Sequence, residues 1–237
     1  MKIKHISFDF WLTLVQSNPA FKYKRAQLLA QFFHVQQTDE MVFQTMKQWA
    51  KLFNQINEQV GRNLDPFESF LIILSQLGVQ TELISNDQME AFYQKMEDLF
   101  LSIPPSLIEE PTPHYLEALK NDGYTISLLS NTGFIRGRTL QKVMVQLDIA
   151  PYFDFCLFSD ELRHSKPSAE VFHSLHQKVN EFRVCAKEEI LHLGDNEKAD
   201  VAGAIRSGLQ GHLIRTNGLN LKEVLKIYDI HLRTVSN

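Results

Sequence analysis

Between about Val15 and Ser102, apolar residues recur every three or four positions, the spacing that lines one face of a helix. Phe21, Leu28, Leu29, Phe32 and Phe33 form a first such face. Met41, Thr45, Trp49, Leu52, Phe53, Ile56 and Val60 form a second, with Thr38 placed as its N-cap and Gly61 as its stop. Asp65-Pro66-Phe67-Glu68 combines an N-cap, a proline suited to the first turn and an acid at the capping-box position. The stripe Phe67, Phe70, Leu71, Leu74, Leu77 follows and Gly78 closes it. Ser85 with Gln88 opens a fourth stripe: Met89, Phe92, Tyr93, Met96, Leu99 and Phe100. Four amphipathic helices in succession predict a small bundle, with these aromatic and methionine stripes as its core.

The flanking segments have a different texture. A short apolar strand, Ile3 to Phe8, precedes Asp9. After Pro104-Pro105 the pattern alternates. A helix over Pro113–Asn121 stops at Gly123, and strands are expected at Tyr124–Leu129, Phe155–Phe158, Ile190–Leu193 and His212–Ile214. Helical segments separate these strands, one starting after Ser168 and one ending near Gly208. Repeated strand–helix units predict an α/β fold, a five-stranded parallel, doubly wound sheet of Rossmann-like type. The expected organisation is a core of residues 1–14 and 106–237, with a helical domain, 15–105, inserted after the first strand.

Composition narrows the partners. The 237 residues are 44% hydrophobic with 17 Phe, enough for a substantial core, and 22% are charged, which is ordinary for a globular chain. A formal net charge of −4 gives no electrostatic reason to expect nucleic acid or an anionic membrane. Cys156 and Cys185 belong to no CxxC pair or ligand cluster, so buried free thiols are expected. The opening MKIKHISFDFWLTL lacks a long apolar stretch and a small-residue cleavage site, and no run reaches membrane-spanning length. The expectation is a cytoplasmic protein. Oligomeric state is left open.

The strand ends carry the chemistry. Ligands of open parallel sheets sit beyond the carboxyl ends of the strands. Strand one ends in Asp9, with Thr13 four residues on; the next ends in Ser130-Asn131. Lys166-Pro167 lies beyond the third. Gly194-Asp195-Asn196 follows the fourth, with Asp200 five residues past Asp195. Each element alone is ordinary turn or loop chemistry. Together they bring carboxylates that can hold a hard cation, a lysine and a hydroxyl that can hold an anion, and a carboxylate that can attack.

These motifs, a hydrophobic strand with DxxxT (Asp9, Thr13), then Ser130-Asn131, Lys166-Pro167 and GDxxxxD (Asp195, Asp200), resemble the haloacid dehalogenase superfamily across the whole chain. The resemblance implies a catalytic α/β core with residues 15–105 as a helical cap. It implies Asp9 as the nucleophile of an aspartyl intermediate and a small anionic, phosphorylated substrate. Mg²⁺ would be held by Asp9, the Trp11 carbonyl, Asp195 and Asp200. Ser130, with Asn131 beside it, would bind the transferring oxygens, and Lys166 would neutralise their charge.

One position departs from the phosphatase pattern. Where phosphatases of the superfamily carry a second Asp, two residues after the nucleophile, this chain has Trp11. Indole cannot exchange protons usefully at neutral pH, and general acid–base help is typically worth about 10²–10⁴-fold. An aromatic residue there resembles the haloacid dehalogenase branch, yet that branch lacks the metal acids that Asp195 and Asp200 supply here. The dehalogenases also use a cap arginine, for which Arg25 and Arg62 are the candidates. A phosphonatase-like enzyme would need a cap lysine, such as Lys22 or Lys24. A catalytically quiet ligand-binding protein is the remaining alternative. Lys22, Lys24 and Arg25 make the first helix basic, either as a solvated face or as a contact to an anionic substrate.

Overall fold

The computed structural model describes residues 2–214 and 219–232. Five parallel strands form the central sheet: β1 (His5–Phe8), β4 (Thr125–Ser130), β5 (Phe155–Phe158), β6 (Ile190–Gly194) and β7 (Gln210–Leu213), in the order β5-β4-β1-β6-β7. The expected α/β architecture is therefore present. Strand β1 is central, and Phe8 sits opposite Leu128 on one side and Leu193 on the other. All four of its residues are buried, as a parallel strand covered on both faces requires. Its polar members find partners inside the sheet. His5 makes 2.8 Å contacts to the hydroxyls of Thr125 and Ser127, and burial drops its pKa to about 3, so it is neutral. The last strand begins two residues before the expected His212–Ile214, although Ile214 still donates its N–H to the Gly194 carbonyl.

Four helices lie between the first strand and the rest of the sheet: α1 (Pro19–Phe32), α2 (Asp39–Val60), α3 (Pro66–Gln76) and α4 (Asn86–Ser102). The segments entering and leaving this block pair as two short antiparallel strands, β2 (Val15–Gln16) and β3 (Ser106–Leu107), which carry too few residues to show a period. Thr38 caps α2 and Ser85 with Gln88 forms the capping box of α4, as the sequence predicts. Asp65 caps α3 by accepting from the Phe67 N–H, so it does not form the expected box with Glu68.

The buried face of α2 also differs from expectation. Met41, Leu52 and Val60 are exposed, whereas Val42, Met46, Phe53 and Asn57 are buried. The helix carries two overlapping apolar stripes, and a polar residue completes the one turned inward. Asn57 belongs there because its side-chain oxygen accepts the Leu64 N–H, 2.9 Å away. Gly61 ends α2 at φ 72°, and a Cβ there would approach the Ser168 Cβ to 3.0 Å. Glycine thus serves both the left-handed turn and the close approach to the loop that carries Lys166.

After the sheet's second strand comes α6 (Gly137–Gln146), which receives α4. The α5 helix (Thr112–Asn121) precedes that strand, α7 (Ser159–Leu162) and α8 (Ala169–Phe182) follow β5, and α10 (Leu221–Ile227) is the last described helix. Between β6 and β7 the chain forms a wide π-type turn, Glu197–Ala202, continued by α9 (Gly203–Arg206). Cys156 and Cys185 are free thiols, and burial pushes Cys156 up to about 12. No described helix is long and apolar enough to cross a membrane.

Polar groups tie α4 to the loop after β4. The Tyr93 hydroxyl donates to the Phe134 carbonyl at 2.8 Å and accepts the Arg136 N–H at 3.0 Å. Glu97, only 2% exposed, accepts from the Arg138 guanidinium at 2.9 and 3.2 Å and from the Thr139 hydroxyl. Removing a buried carboxylate leaves its donors unpaired, at a cost of about 1–3 kcal/mol. Glu97→Ala is therefore expected to lose about 2 kcal/mol in urea unfolding. Arg138→Ala should lose less, because Arg138 is half exposed. Equal stability of Glu97→Ala and wild type would contradict this reading.

Candidate active site

The strand-end motifs converge. Asp9 follows β1, and its N–H donates to the Leu193 carbonyl at 2.8 Å, which fixes it at the sheet edge. The chain then folds back. Leu12 takes φ 57°, unusual for a bulky residue, and Leu14 N–H donates to the Phe10 carbonyl at 3.0 Å. This turn brings Thr13 under Asp9, where its hydroxyl donates to Asp9 Oδ2 at 3.2 Å.

Lys166 is fully enclosed, and its ammonium reaches three acceptors: Asp9 Oδ1 at 2.7 Å, Asp200 Oδ1 at 2.6 Å and the Leu129 carbonyl at 2.7 Å. Three donors meet three acceptors, so nothing on the ammonium is left unsatisfied. Asn131 holds the lysine's backbone in place. Its side-chain amide donates to the Lys166 carbonyl at 2.9 Å, and its oxygen accepts the Lys166 N–H at 2.7 Å. The Lys166-Pro167 peptide is cis.

Asp200 is held from three directions. Besides Lys166, it accepts from the Asn196 N–H at 3.0 Å and contacts His192 Nε2 at 3.1 Å, while His192 Nδ1 contacts the Ser7 hydroxyl at 3.0 Å. Its carboxyl group also fills the space where a Cβ of Gly194 would lie, so this strand must end in glycine. Asn196 opens the wide turn by accepting the Lys198 and Ala199 N–H groups, and its amide donates to Glu58 of α2 at 2.9 Å.

Asp9, Asp195 and Asp200 each present an oxygen within 4.8 Å of the others. Two are buried and Asp195 is half-buried. Burial is the largest cause lifting Asp9 to about 7; Lys166 opposes it, and Asp200 and Asp195 add to it. Asp195 rises to about 6 through burial and the nearby Asp200. Burial would also raise Asp200, but Lys166 and His192 outweigh it, and that carboxyl lies below the usual range. Burial would lower Lys166; the Asp200 and Asp9 carboxylates outweigh it and hold the ammonium charged. Three carboxylates against one ammonium leave two negative charges uncompensated when all are ionised, which suits a divalent cation with oxygen ligands.

A cavity of about 410 Å³ opens above this cluster. Its polar floor is Asp9, Lys166, Asp195 and Asp200, and α1 and α2 supply the opposite wall through Phe21, Arg25, Phe53, Asn57 and Glu58. Trp11 lines it as well, packed against Phe10 and Phe100 with ring centroids 5.3 and 6.2 Å away. Ser130 is buried at the end of β4, where its hydroxyl donates to the Asn131 carbonyl at 3.3 Å, and the cavity wall beside it is Asn131 to Ile135. Thr13 likewise lies behind the wall. Of the basic candidates within residues 15–105, Lys22 and Arg25 line the cavity, and Lys24 and Arg62 do not. The sequence reading did not single out Phe53, Asn57 or Glu58 for the site. Asn57 carried a signal, as a polar residue interrupting an apolar stripe; Glu58 carried none.

Comparison with known proteins follows the same lines. Residues 3–208 match the family of haloacid dehalogenase-like hydrolases. A stretch of 75 residues is 36% identical to the 5-amino-6-(5-phospho-D-ribitylamino)uracil phosphatase YigB of Escherichia coli, covering 32% of this chain and 30% of that protein. The chain thus aligns with less than a third of that relative. Among solved structures, a magnesium-bound putative hydrolase of Bacillus subtilis is similar at TM-score 0.71 and 17% identity, over 97% of this chain and all of that one. A phosphatase of Thermococcus onnurineus is similar at TM-score 0.67 and 16% identity, covering 98% of this chain and 100% of that one. The L-2-haloacid dehalogenase of Xanthobacter autotrophicus gives 0.59 and 16%, covering 98% and 85%. At these identities the structures speak for the fold alone.

The lysine's role can be tested without turnover. Lys166→Met leaves Asp9 and Asp200 facing each other without their cation, at a cost of about 3–5 kcal/mol at pH 8. Without the ammonium both carboxyls gain raised folded pKa values. Their protonated forms stabilise the fold at low pH, and that stability is lost as pH rises through the folded values. Chemical denaturation in EDTA is expected to show a deficit that is large at pH 8 and smaller at pH 5. A deficit independent of pH would refute this electrostatic account.

Proposed function

The chain belongs to the haloacid dehalogenase-like hydrolase family, and on that premise we propose that it is a Mg²⁺-dependent phosphohydrolase in which Asp9 attacks a small phosphorylated metabolite. The observation that carries this reading is the Asp9–Lys166–Asp200 chain with Asp195 beside it, at the floor of a cavity sized for a small molecule. Residues 15–105 act as a cap that closes this cavity against water.

In this reading an Asp9 carboxylate oxygen forms a bond to phosphorus as the bond to the leaving oxygen breaks, and water later hydrolyses the aspartyl phosphate. Lys166 holds Oδ1 of Asp9, and only the 3.2 Å hydrogen bond from Thr13 holds Oδ2, which is the oxygen left free to attack. Lys166 neutralises charge on the transferring oxygens, an electrostatic contribution strongest where water is excluded. The backbone that follows Ser130, steadied by Asn131, receives the same oxygens. The acidic trio, with the Trp11 carbonyl, fits Mg²⁺ as oxygen donors. When bound, the ion supplies the positive charge that lets an anionic nucleophile approach an anionic phosphate.

Trp11 shapes the substrate choice. It offers no proton to a departing alkoxide, so substrates whose leaving group departs as a stable anion are favoured. Acetyl phosphate is accordingly expected to turn over faster than ethyl phosphate by a wide margin. Trp11→Asp should raise ethyl phosphate turnover by about 10–100-fold. Asp9→Asn should abolish both activities, and Asp9-independent hydrolysis across a panel of phosphates would sink the proposal.

Metal binding gives a separate check. Protons compete for Asp9 and Asp195, which titrate near 7 and near 6. Mg²⁺ affinity is expected to fall roughly 10–20-fold between pH 8 and pH 6. Calorimetry in buffers of different ionisation enthalpy should show proton release on binding. Affinity that does not change with pH would place the ion elsewhere.

A further inference from the structure

Hydrolysis of an aspartyl phosphate is helped by a group that takes a proton from the attacking water. Trp11 cannot do this. Four carboxylates line the cavity: Asp9, Glu58, Asp195 and Asp200. Three of them form the acidic trio. Among the described residues no histidine, cysteine or tyrosine lines the cavity, and its remaining titratable side chains, Lys22, Arg25 and Lys166, are basic. Glu58 is thus the one lining acid outside the trio.

Glu58 lies in the last turn of α2 and is half-buried. Its Oε1 accepts the Asn196 amide at 2.9 Å, and its Oε2 has no hydrogen-bond partner among the described residues. Asn196 directly follows Asp195, whose carboxylate reaches within 4.8 Å of that of Asp9, so Glu58 is held on the acidic side of the cavity. Its charge is felt there: burial and Asp200 raise Asp195, and Glu58 adds to them. The end of the helix is pinned as well. The Gly61 carbonyl accepts the Ser165 N–H at 3.1 Å, and the Asn63 side-chain oxygen accepts the Ser159 hydroxyl at 2.7 Å. Ser165 immediately precedes Lys166, so the segment that carries Glu58 is fastened to the loop that carries the lysine. A carboxylate fixed here repels both the trio and an incoming anion. Proton transfer accounts for a placement that substrate binding does not.

We propose that Glu58 is the general base for the water that hydrolyses the aspartyl phosphate on Asp9, so that α2 supplies, in the second half of the reaction, what Trp11 lacks. This rests on the phosphohydrolase reading above. The water oxygen bonds to phosphorus as the bond from phosphorus to the Asp9 oxygen breaks. The water's proton passes to Glu58 Oε2, Asp9 departs as a carboxylate, and Glu58 then returns the proton to solvent. A base that begins without a proton has none to give the leaving group of the first half, so the preference for leaving groups stable as anions stands.

The two halves of the reaction can be timed separately. Rapid-quench mixing with radiolabelled acetyl phosphate, at Mg²⁺ concentrations that saturate each protein, reads both aspartyl phosphate formed and phosphate released. Glu58→Gln keeps the acceptor for Asn196 and removes the base. It is expected to form aspartyl phosphate at close to the wild-type rate and to release phosphate about 10²–10⁴-fold more slowly, so that labelled enzyme accumulates. Formate should restore release in Glu58→Ala, where it brings a carboxylate into the vacated space, and should not do so in Glu58→Gln. Equal slowing of both halves in Glu58→Gln would make Glu58 a structural tie between α2 and Asn196, and release at the wild-type rate would leave it no part in the reaction; either result overturns the proposal. Slow release from Glu58→Ala that formate does not speed overturns it too. If wild type itself yields neither aspartyl phosphate nor phosphate, the phosphohydrolase reading fails and the role of Glu58 falls with it, an outcome told apart from the others before any variant is made.

Discussion

The ammonium of Lys166 is the point on which the centre of the molecule depends. Its three acceptors come from the turn after β1, the last turn of β4 and the segment after β6. Each of those segments ends a different strand, so one charged group fastens the active edge of the sheet. A lysine so deeply buried is tolerable only when every donor is met and opposite charge is close. The surrounding structure supplies this: Asn131 fixes the lysine's backbone, and Gly194 leaves the space that the Asp200 carboxyl occupies. Weakening the arrangement at any of these points costs stability, because it leaves buried charge unpaired.

The two carboxylates sharing that ammonium are not equivalent. Asp200 has its oxygens engaged by Lys166, His192 and the Asn196 N–H, and it is held ionised. Asp9 has Lys166 on one oxygen and only a long hydrogen bond from Thr13 on the other, and its pKa is high. One acid is built to stay charged and in place. The other keeps an oxygen only loosely occupied and bears most of the electrostatic strain. That division is consistent with the proposed roles, Asp200 holding and Asp9 attacking.

Much of this was readable from the chain because strand-end chemistry is local. An Asp after a buried strand, an Asn after the next and a Gly-Asp after a third can be found without knowing any long-range contact. Helix ends at Thr38, Gly61 and Ser85 are equally local. What the sequence hid depends on partners far along the chain. The inward face of α2 could not be chosen between two apolar stripes, because the deciding residue, Asn57, is polar and needs the Leu64 N–H. Glu97 reads as a solvated acid until Arg138 and Thr139 are brought beside it. Lys22, Lys24 and Arg25 read alike as a basic face, and only the packing of α1 on Phe134 sends the guanidinium inward. Ser130 reads as a pocket hydroxyl by position, but the backbone after it forms the wall.

Trp11 gives the cavity its chemical bias. An indole beside Asp9 offers no proton transfer and adds an apolar surface, joined by Phe53, Phe100 and Phe134. In such a low-dielectric space fixed charges act more strongly than they would in water. The cavity therefore places concentrated charge on its floor beside a side chain, Trp11, that cannot transfer a proton. In the proposed reaction such a site succeeds when the substrate supplies what the protein omits, a leaving group stable without a proton.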